Sequence, residues 1–485
     1  MLHFYLLILL FSCFKGNDKL IFVQTHFRHG ARSPTVKKNN VDSVGEPWEY
    51  SMQLTGVGKR MHYILGLRNR IKYIIEGKLI SEKYVYYEVE AYSSNTERTI
   101  MSLLSHLQGL YPQSEKLGDN LTEAQSNDSN PPVNVNYSRI SEEFSYLQND
   151  ALPQRMTTVY FNTIKANEGN NIYETSCKRI KNSKSSSNNE SILITKEFTE
   201  QFGDYINKFN ERKSYNYTFS NIESFCDSLI ASYKDKRNMT KLRNTGINIE
   251  ELYKICLDVK RIEYKYMNNN ISSFIKGSKL MKMVVDGAKK RIDRDINGTY
   301  LNEPKMLIIS GHDTSVAVQE LFLIYSLGLN LDNFRGIQFA SQIALLFTRK
   351  DDDKKNRTYS DYFVNYYFDD ELLFNITANE FFNKIEAKIW SDEEINVYCN
   401  SNDTKNNSNN SDIDNNDNSY ILFSNKKYKK RTTALIVFIC LFAVSFIINL
   451  IQAICLLRKN NKILETDNTA QVTVNQILGN NNILK

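Results

Sequence analysis

Two short segments of this 485-residue chain carry side chains that could grip and attack a phosphoryl group. The first is Arg28-His-Gly-Ala-Arg-Ser-Pro34, which holds Arg28, His29 and Arg32; the second is Gly311-His-Asp-Thr314, which holds His312 and Asp313. Arg98 lies between them in sequence. Guanidinium groups match phosphate oxygens with paired, charge-assisted hydrogen bonds. A histidine set among them is pushed toward its neutral form, because nearby positive charge depresses its pKa. A neutral imidazole has the lone pair needed to attack phosphorus, so His29 is the candidate nucleophile. The leaving alkoxide then needs a proton, and Asp313 is the candidate donor. His312 would contact a phosphate oxygen beside it. Since the arginines supply the positive charge, neither a metal nor another cofactor is expected. His26, His62 and His106 read as packing residues, with lining of the pocket mouth as an alternative place for His26.

These residues need elements to hold them. The apolar, β-branched run Leu20–Phe27 reads as a buried strand, and Gly and Pro after it force a loop. Lys305–Ser310 reads the same way ahead of His312. Both loops then sit at the carboxyl ends of strands, where α/β sheets gather ligands. Thr55 reads as an N-cap, with Val57, Met61, Ile64, Leu65, Arg68 and Ile71 at helical spacing behind it. Ile100, Leu103, Leu104, Leu107 and Leu110 mark a second helix from Thr96, just inside which Arg98 falls. Further strands are expected over Tyr84–Tyr92, Ile343–Thr348 and Tyr362–Phe368, and a helix near Val316–Leu327. The polar stretch from about 113 to 303 reads as an inserted helical lobe, with a low-complexity surface loop over Lys178–Ser191. The fold class is therefore α/β: a mixed central sheet flanked by helices, with an inserted helical lobe.

Composition sets the compartment. Hydrophobic residues make up 41% of the chain, enough for a large core, and the net charge of +6 is too small and dispersed to suggest nucleic acid. Leu2–Phe14 reads as the apolar part of a signal peptide over residues 1–16. Ala434–Leu457 would make a helix of about 36 Å against roughly 30 Å of hydrocarbon, so 433–457 reads as a transmembrane span. The domain would cover 17–400. An Asn/Asp/Ser-rich stalk (401–432) precedes the span, and a cytosolic tail (458–485) follows it. Lys426, Lys427, Lys429, Lys430 and Arg431 before the span would favour the opposite orientation by charge alone. A signal peptide commits the chain first, so a type I arrangement is expected, with the body lumenal or extracellular. Cys177, Cys226, Cys256 and Cys399 remain in the body, an even set that allows two disulfides in three pairings. Asn-x-Ser/Thr sequons recur, among them Asn120, Asn136, Asn216, Asn238, Asn297 and Asn375.

Phe27-Arg-His-Gly-Ala-Arg-Ser-Pro34 resembles the RHGxRxP signature of the histidine acid phosphatases, the acid-phosphatase and phytase branch of the histidine phosphatase superfamily. Gly311-His-Asp-Thr314 is similar to that family's HD pair. Leu54-Thr55-Gly-Val-Gly58 is similar to its Leu-Thr-x-x-Gly step, and Ser94–Ser102 to the block that supplies a pocket arginine. The resemblance covers about Lys19–Cys399. It implies a phosphohistidine at His29, phosphate ligands Arg28, Arg32, Arg98 and His312, and proton donor Asp313. Signal, late span and short tail are similar to lysosomal-type acid phosphatases. The expected function is hydrolysis of phosphate monoesters at acid pH. Expected partners are those substrates, the membrane held by one helix and, at most, a second copy in a homodimer. Two rivals are a narrow phosphatase for an inositol, lipid or sugar phosphate, and a catalytically silent surface glycoprotein of the same fold.

Overall fold

The computed structural model describes residues 18–400 except 36–43, 45, 115, 128, 130–146, 166–170, 174–176, 178, 181–187, 214–216, 245 and 299–301. The expected signal peptide, stalk, span and tail lie outside these residues, as does most of the 178–191 stretch. Among the described residues, no helix is long and apolar enough to cross a membrane.

Seven strands form one mixed sheet: β1 (Asp18–Arg28), β2 (Val89–Ser94), β3 (Asn162–Ile164), β4 (Met306–Gly311), β5 (Gln342–Lys350), β6 (Tyr362–Phe368) and β7 (Glu371–Thr377). Their order is β3-β2-β4-β1-β5-β6-β7. The first four are mutually parallel, and β5, β6 and β7 run antiparallel to their neighbours. The apolar runs of β1 and β4 are buried almost throughout, as befits central parallel strands covered on both faces. Register matters for the site. Arg28 lies opposite Gly311 across β1 and β4, and Ser93 lies opposite Ser310 across β2 and β4. Three adjacent strands therefore end together.

Against one face pack α1 (Gly56–Arg70), its π-helical continuation Ile71–Glu76, and α2 (Glu97–Leu110). They bury Tyr73, Ile74, Leu103 and Leu107 on Leu20, Val23 and Phe27 of β1. Against the other face pack α6 (Asn270–Asn297), α7 (Asp313–Leu327) and α8 (Ala378–Glu386). The helices α3 (Asn188–Lys213), α4 (Phe219–Lys234) and α5 (Ile249–Met267) bury a separate core of Phe198, Phe209, Phe225, Leu229, Leu252 and Val259. Phe339 and Ala31 join that core, which ties it to the loops beyond β1 and ahead of β5. Thus the stretch 113–303 holds these helices, but it also lends β3 to the sheet edge and α6 to the sheet face.

Most expected elements appear with shifted ends. The strand expected over Tyr84–Tyr92 begins only at Val89, and α7 begins at Asp313 rather than near Val316. The edge strand β3 is too short for a pattern to reveal it, and β7, with Leu372, Phe374 and Ile376 alternating, adds a strand beyond those expected. Two disulfides resolve the pairing question: Cys177 with Cys399, whose helix α9 (Asp392–Asn400) closes the domain, and Cys226 with Cys256, joining α4 to α5.

The loop after β1 is held by backbone contact. Thr55 caps α1, its hydroxyl accepting from Gly58 N, and its own N–H donates to Ala31 O at 3.0 Å. A Cβ on Gly58 would lie 2.2 Å from Ala31 O, and one on Gly30 would lie 2.4 Å from Gly58 O. Gly56, two residues earlier, has nothing within 4 Å of its would-be Cβ. Gly58→Ala is expected to destabilise the protein by about 2–3 kcal/mol, since only backbone can give way. Gly56→Ala is expected to be neutral or stabilising by about 0.5 kcal/mol. Thermal melts of both variants check this, and equal midpoints would show that the close approach is not needed.

Candidate active site

At the carboxyl ends of β1, β4 and β2 the six residues singled out by sequence meet. The His29 and His312 rings lie 5.7 Å apart, centroid to centroid. Arg28 donates from Nη2 to Asp313 Oδ2 at 2.7 Å and from Nη1 to the Ile337 carbonyl at 2.8 Å, with its guanidinium 4.4 Å above the Phe339 ring. Arg98 reaches His312 Nδ1 at 3.2 Å, and Ser94 Oγ lies 2.9 Å from His312 Nε2. The position of Arg98 is set by α2. Ser102 Oγ donates to Arg98 O at 2.7 Å and accepts from Gly30 N at 3.1 Å, lashing the start of that helix to the His29 loop.

His29 is 1% exposed, and its Nδ1 lies 2.9 Å from the Gly30 carbonyl. A carbonyl only accepts, so Nδ1 carries the ring proton and Nε2 keeps the lone pair. Burial, then the positive charge of Arg28, Arg32 and Arg98, holds its pKa well below the usual 6.5. Burial and then Arg98 bring His312 down to about 4. For Asp313, burial alone would raise the pKa, but Arg28 and His29, a hydrogen bond from Tyr264 and the charge of Lys260 outweigh it. The carboxyl sits well below the usual carboxylate range. The free site thus presents a neutral imidazole beside an ionised aspartate.

Each of Arg28, Arg32 and Arg98 also has a buried Nε without a hydrogen-bond partner among the described residues. Buried cationic groups with unmet donors, all close enough to His29 to depress its pKa, suit an anion. A tetrahedral dianion would be neutralised here, and a neutral nitrogen would stand ready to attack it.

Sequence reasoning missed several residues. Asp227 on α4 clasps Arg32 through both carboxylate oxygens, at 2.9 and 3.3 Å, and accepts from Thr35 N at 2.8 Å. Tyr264 on α5 bonds Asp313, and Phe339 lies under Arg28. Nothing local marks these residues, because they come from the lobe and from the loop ahead of β5. His26 does not line the pocket mouth: it is fully buried. His62 and His106 are fully buried too; His106 stacks on Phe27 and His62 packs tilted against it.

Comparison with known proteins shows the family. Residues 19–369 match the family model of the histidine phosphatase superfamily, branch 2. Xenopus laevis lysosomal acid phosphatase is 37% identical over 115 residues, covering 22% of this chain and 25% of that protein. Human prostatic acid phosphatase is 35% identical over 96 residues, covering 19% and 24%. The chain thus aligns with about a quarter of the length of these curated relatives. Among solved structures, Hafnia alvei phytase superposes with a TM-score of 0.50 at 10% identity, covering 78% of this chain and 98% of that one, a likeness of fold. With its sheet, its two strand-end loops and a family match across most of the described body, the chain belongs to branch 2 of the histidine phosphatase superfamily, the acid phosphatase and phytase family.

Proposed function

We propose that the protein is an acid phosphatase that hydrolyses phosphate monoesters through a phosphohistidine at His29. The observation that carries this reading is the orientation of His29, whose Nδ1 is committed to Gly30 O while Nε2 stays free among three guanidiniums with unmet donors. Arg28, Arg32 and Arg98 bind the dianion, with His312 beside them as a further phosphate contact. Nε2 attacks phosphorus, the P–O ester bond breaks, and Asp313 passes its proton to the departing alkoxide. Water then attacks the phosphohistidine, Asp313 takes the water's proton, and phosphate leaves. A cavity of about 310 Å³ borders Arg28, walled by Leu257, Phe339, Lys254, Lys260 and Arg261 but not by His29, His312 or Asp313.

Asp313 works as an acid only when protonated. In the free site Arg28 keeps it ionised. A bound dianion competes for Arg28 and brings negative charge beside the carboxyl, which raises its pKa. The protonated fraction falls as pH rises, so turnover is expected to peak at acid pH and decline toward neutrality. Burial and the three arginines keep the pKa of His29 well below the usual 6.5, which favours its neutral form. Phosphate release measured from about pH 4 to 8, on aryl, alkyl, sugar and inositol phosphates, tests this. A neutral or alkaline optimum contradicts the role given to Asp313, and activity on one ester class alone selects the narrow reading.

The disulfides fit a secretory-pathway protein. The same reading makes the protein a lysosomal-type, type I membrane phosphatase, with a cleaved signal over 1–16, a domain over 17–400, a stalk, one span over 433–457 and a short tail.

A further inference from the structure

Behind the catalytic turn runs a buried chain of polar side chains that the proposed reaction does not use. His26, three residues before His29 on β1, is fully buried, and both of its ring nitrogens are engaged. Nδ1 lies 2.9 Å from Gln319 Oε1, and Nε2 lies 3.1 Å from Ser315 Oγ. Gln319 continues the chain through its amide nitrogen to Gln24 Oε1 at 3.0 Å. At the other end, Ser315 Oγ accepts from the His312 backbone N–H at 3.0 Å and lies 2.9 Å from the His312 carbonyl. The chain therefore starts inside the sheet and ends on the backbone of His312, the residue before Asp313.

Its setting makes the chain unusual. Gln24 and His26 flank the buried Thr25 on a strand otherwise lined by Ile21, Phe22, Val23 and Phe27, and apolar side chains at 24 and 26 would pack such a strand. Buried polar groups cost free energy unless each finds a partner, and partnered ones fix one arrangement; here both ring nitrogens of His26 are partnered, and only Gln24 Nε2, at the far end of the chain, has no partner among the described residues. The fit here is tight: a Cβ on Gly311 would lie 2.4 Å from Ser315 Oγ and 2.7 Å from His26 Nε2. The turn at 311–315 thus rests directly on the His26–Ser315 pair. Tyr173 closes the other side, its ring edge-on to His26 at 6.4 Å.

We propose that His26 is a positioning residue, holding the 311–315 turn through Ser315 so that His312 and Asp313 face His29. This rests on the proposed reaction and adds to it a residue that touches no substrate. Loss of His26 should loosen the proton donor more than the nucleophile, because His29, although its N–H donates to Gly311 O at 3.0 Å, is also held by the Gly30 and Ser102 contacts, which lie outside the turn. The readout is the ratio of kcat on an alkyl phosphate to kcat on p-nitrophenyl phosphate, which needs little protonation to leave. That ratio does not depend on the fraction of folded enzyme, so a merely structural role leaves it unmoved.

His26→Leu is expected to lower the ratio by about tenfold, the scale of a sub-ångström misplacement of a reacting group. His26→Gln, whose amide can still meet a polar neighbour, is expected to restore most of it. An unchanged ratio in His26→Leu overturns the proposal. Should that variant fail to fold, Ser315→Ala carries the same expectation, and an unchanged ratio there overturns it equally. A wild-type protein without His29-dependent phosphate release overturns the underlying reaction instead, a result separable from either variant's.

Discussion

Replacing His29 with Ala is expected to cut phosphate release by ~10⁴-fold or more, the scale seen when a nucleophile is removed from a preorganised site. No other residue among those described offers a neutral nitrogen in its place. The His312 ring is 5.7 Å away, and both of its nitrogens are engaged by Arg98 and Ser94. Binding should survive better than turnover, because Arg28, Arg32 and Arg98 stay in place, two of them fixed by Asp313 and Asp227. Inorganic phosphate should therefore remain a ligand of the variant, with an affinity close to that of the wild type. The check is phosphate release from an aryl ester near pH 5, with phosphate binding measured by calorimetry. A variant that keeps turnover within tenfold of wild type would exclude the phosphohistidine.

The second large effect is expected at Asp313, and its signature is selectivity. Asp313→Asn keeps the size of the side chain and removes the transferable proton. General-acid catalysis is worth roughly 10²–10⁴-fold where the leaving group needs it. An alkyl phosphate should lose turnover on that scale, while p-nitrophenyl phosphate, whose leaving group departs unaided, should lose far less. Phosphate binding should not weaken, because the carboxylate that holds Arg28 at 2.7 Å in the free site no longer competes with the dianion. The pH profile should flatten as well, since the group whose deprotonation limits turnover has gone. Equal losses on both esters would move Asp313 from proton donor to simple partner of Arg28.

These expectations bear on the rival reading of a silent surface glycoprotein. Such a protein has no use for an imidazole locked in one tautomer or for three buried arginines with unmet donors beside it. Activity that depends on both His29 and Asp313 would exclude it.

The sequence by itself determined the local pieces. Arg28, His29, Arg32, His312 and Asp313 were legible because each loop follows a strand-like run rich in apolar residues and carries the Gly or Pro that ends it. The cap at Thr55 and the helix from Thr96 were legible for the same reason: capping and periodicity are properties of a few neighbouring residues. Only the tertiary structure decided that β2, β4 and β1 lie side by side, and that adjacency is what turns three distant segments into one pocket. It also decided which cysteines pair, that Asp227 arrives from the lobe to hold Arg32, and that His26 faces inward onto Ser315 rather than outward. These contacts join residues up to about 300 positions apart, and no short-range pattern records them. They follow from how apolar faces stack, and that is settled only when the whole chain is packed.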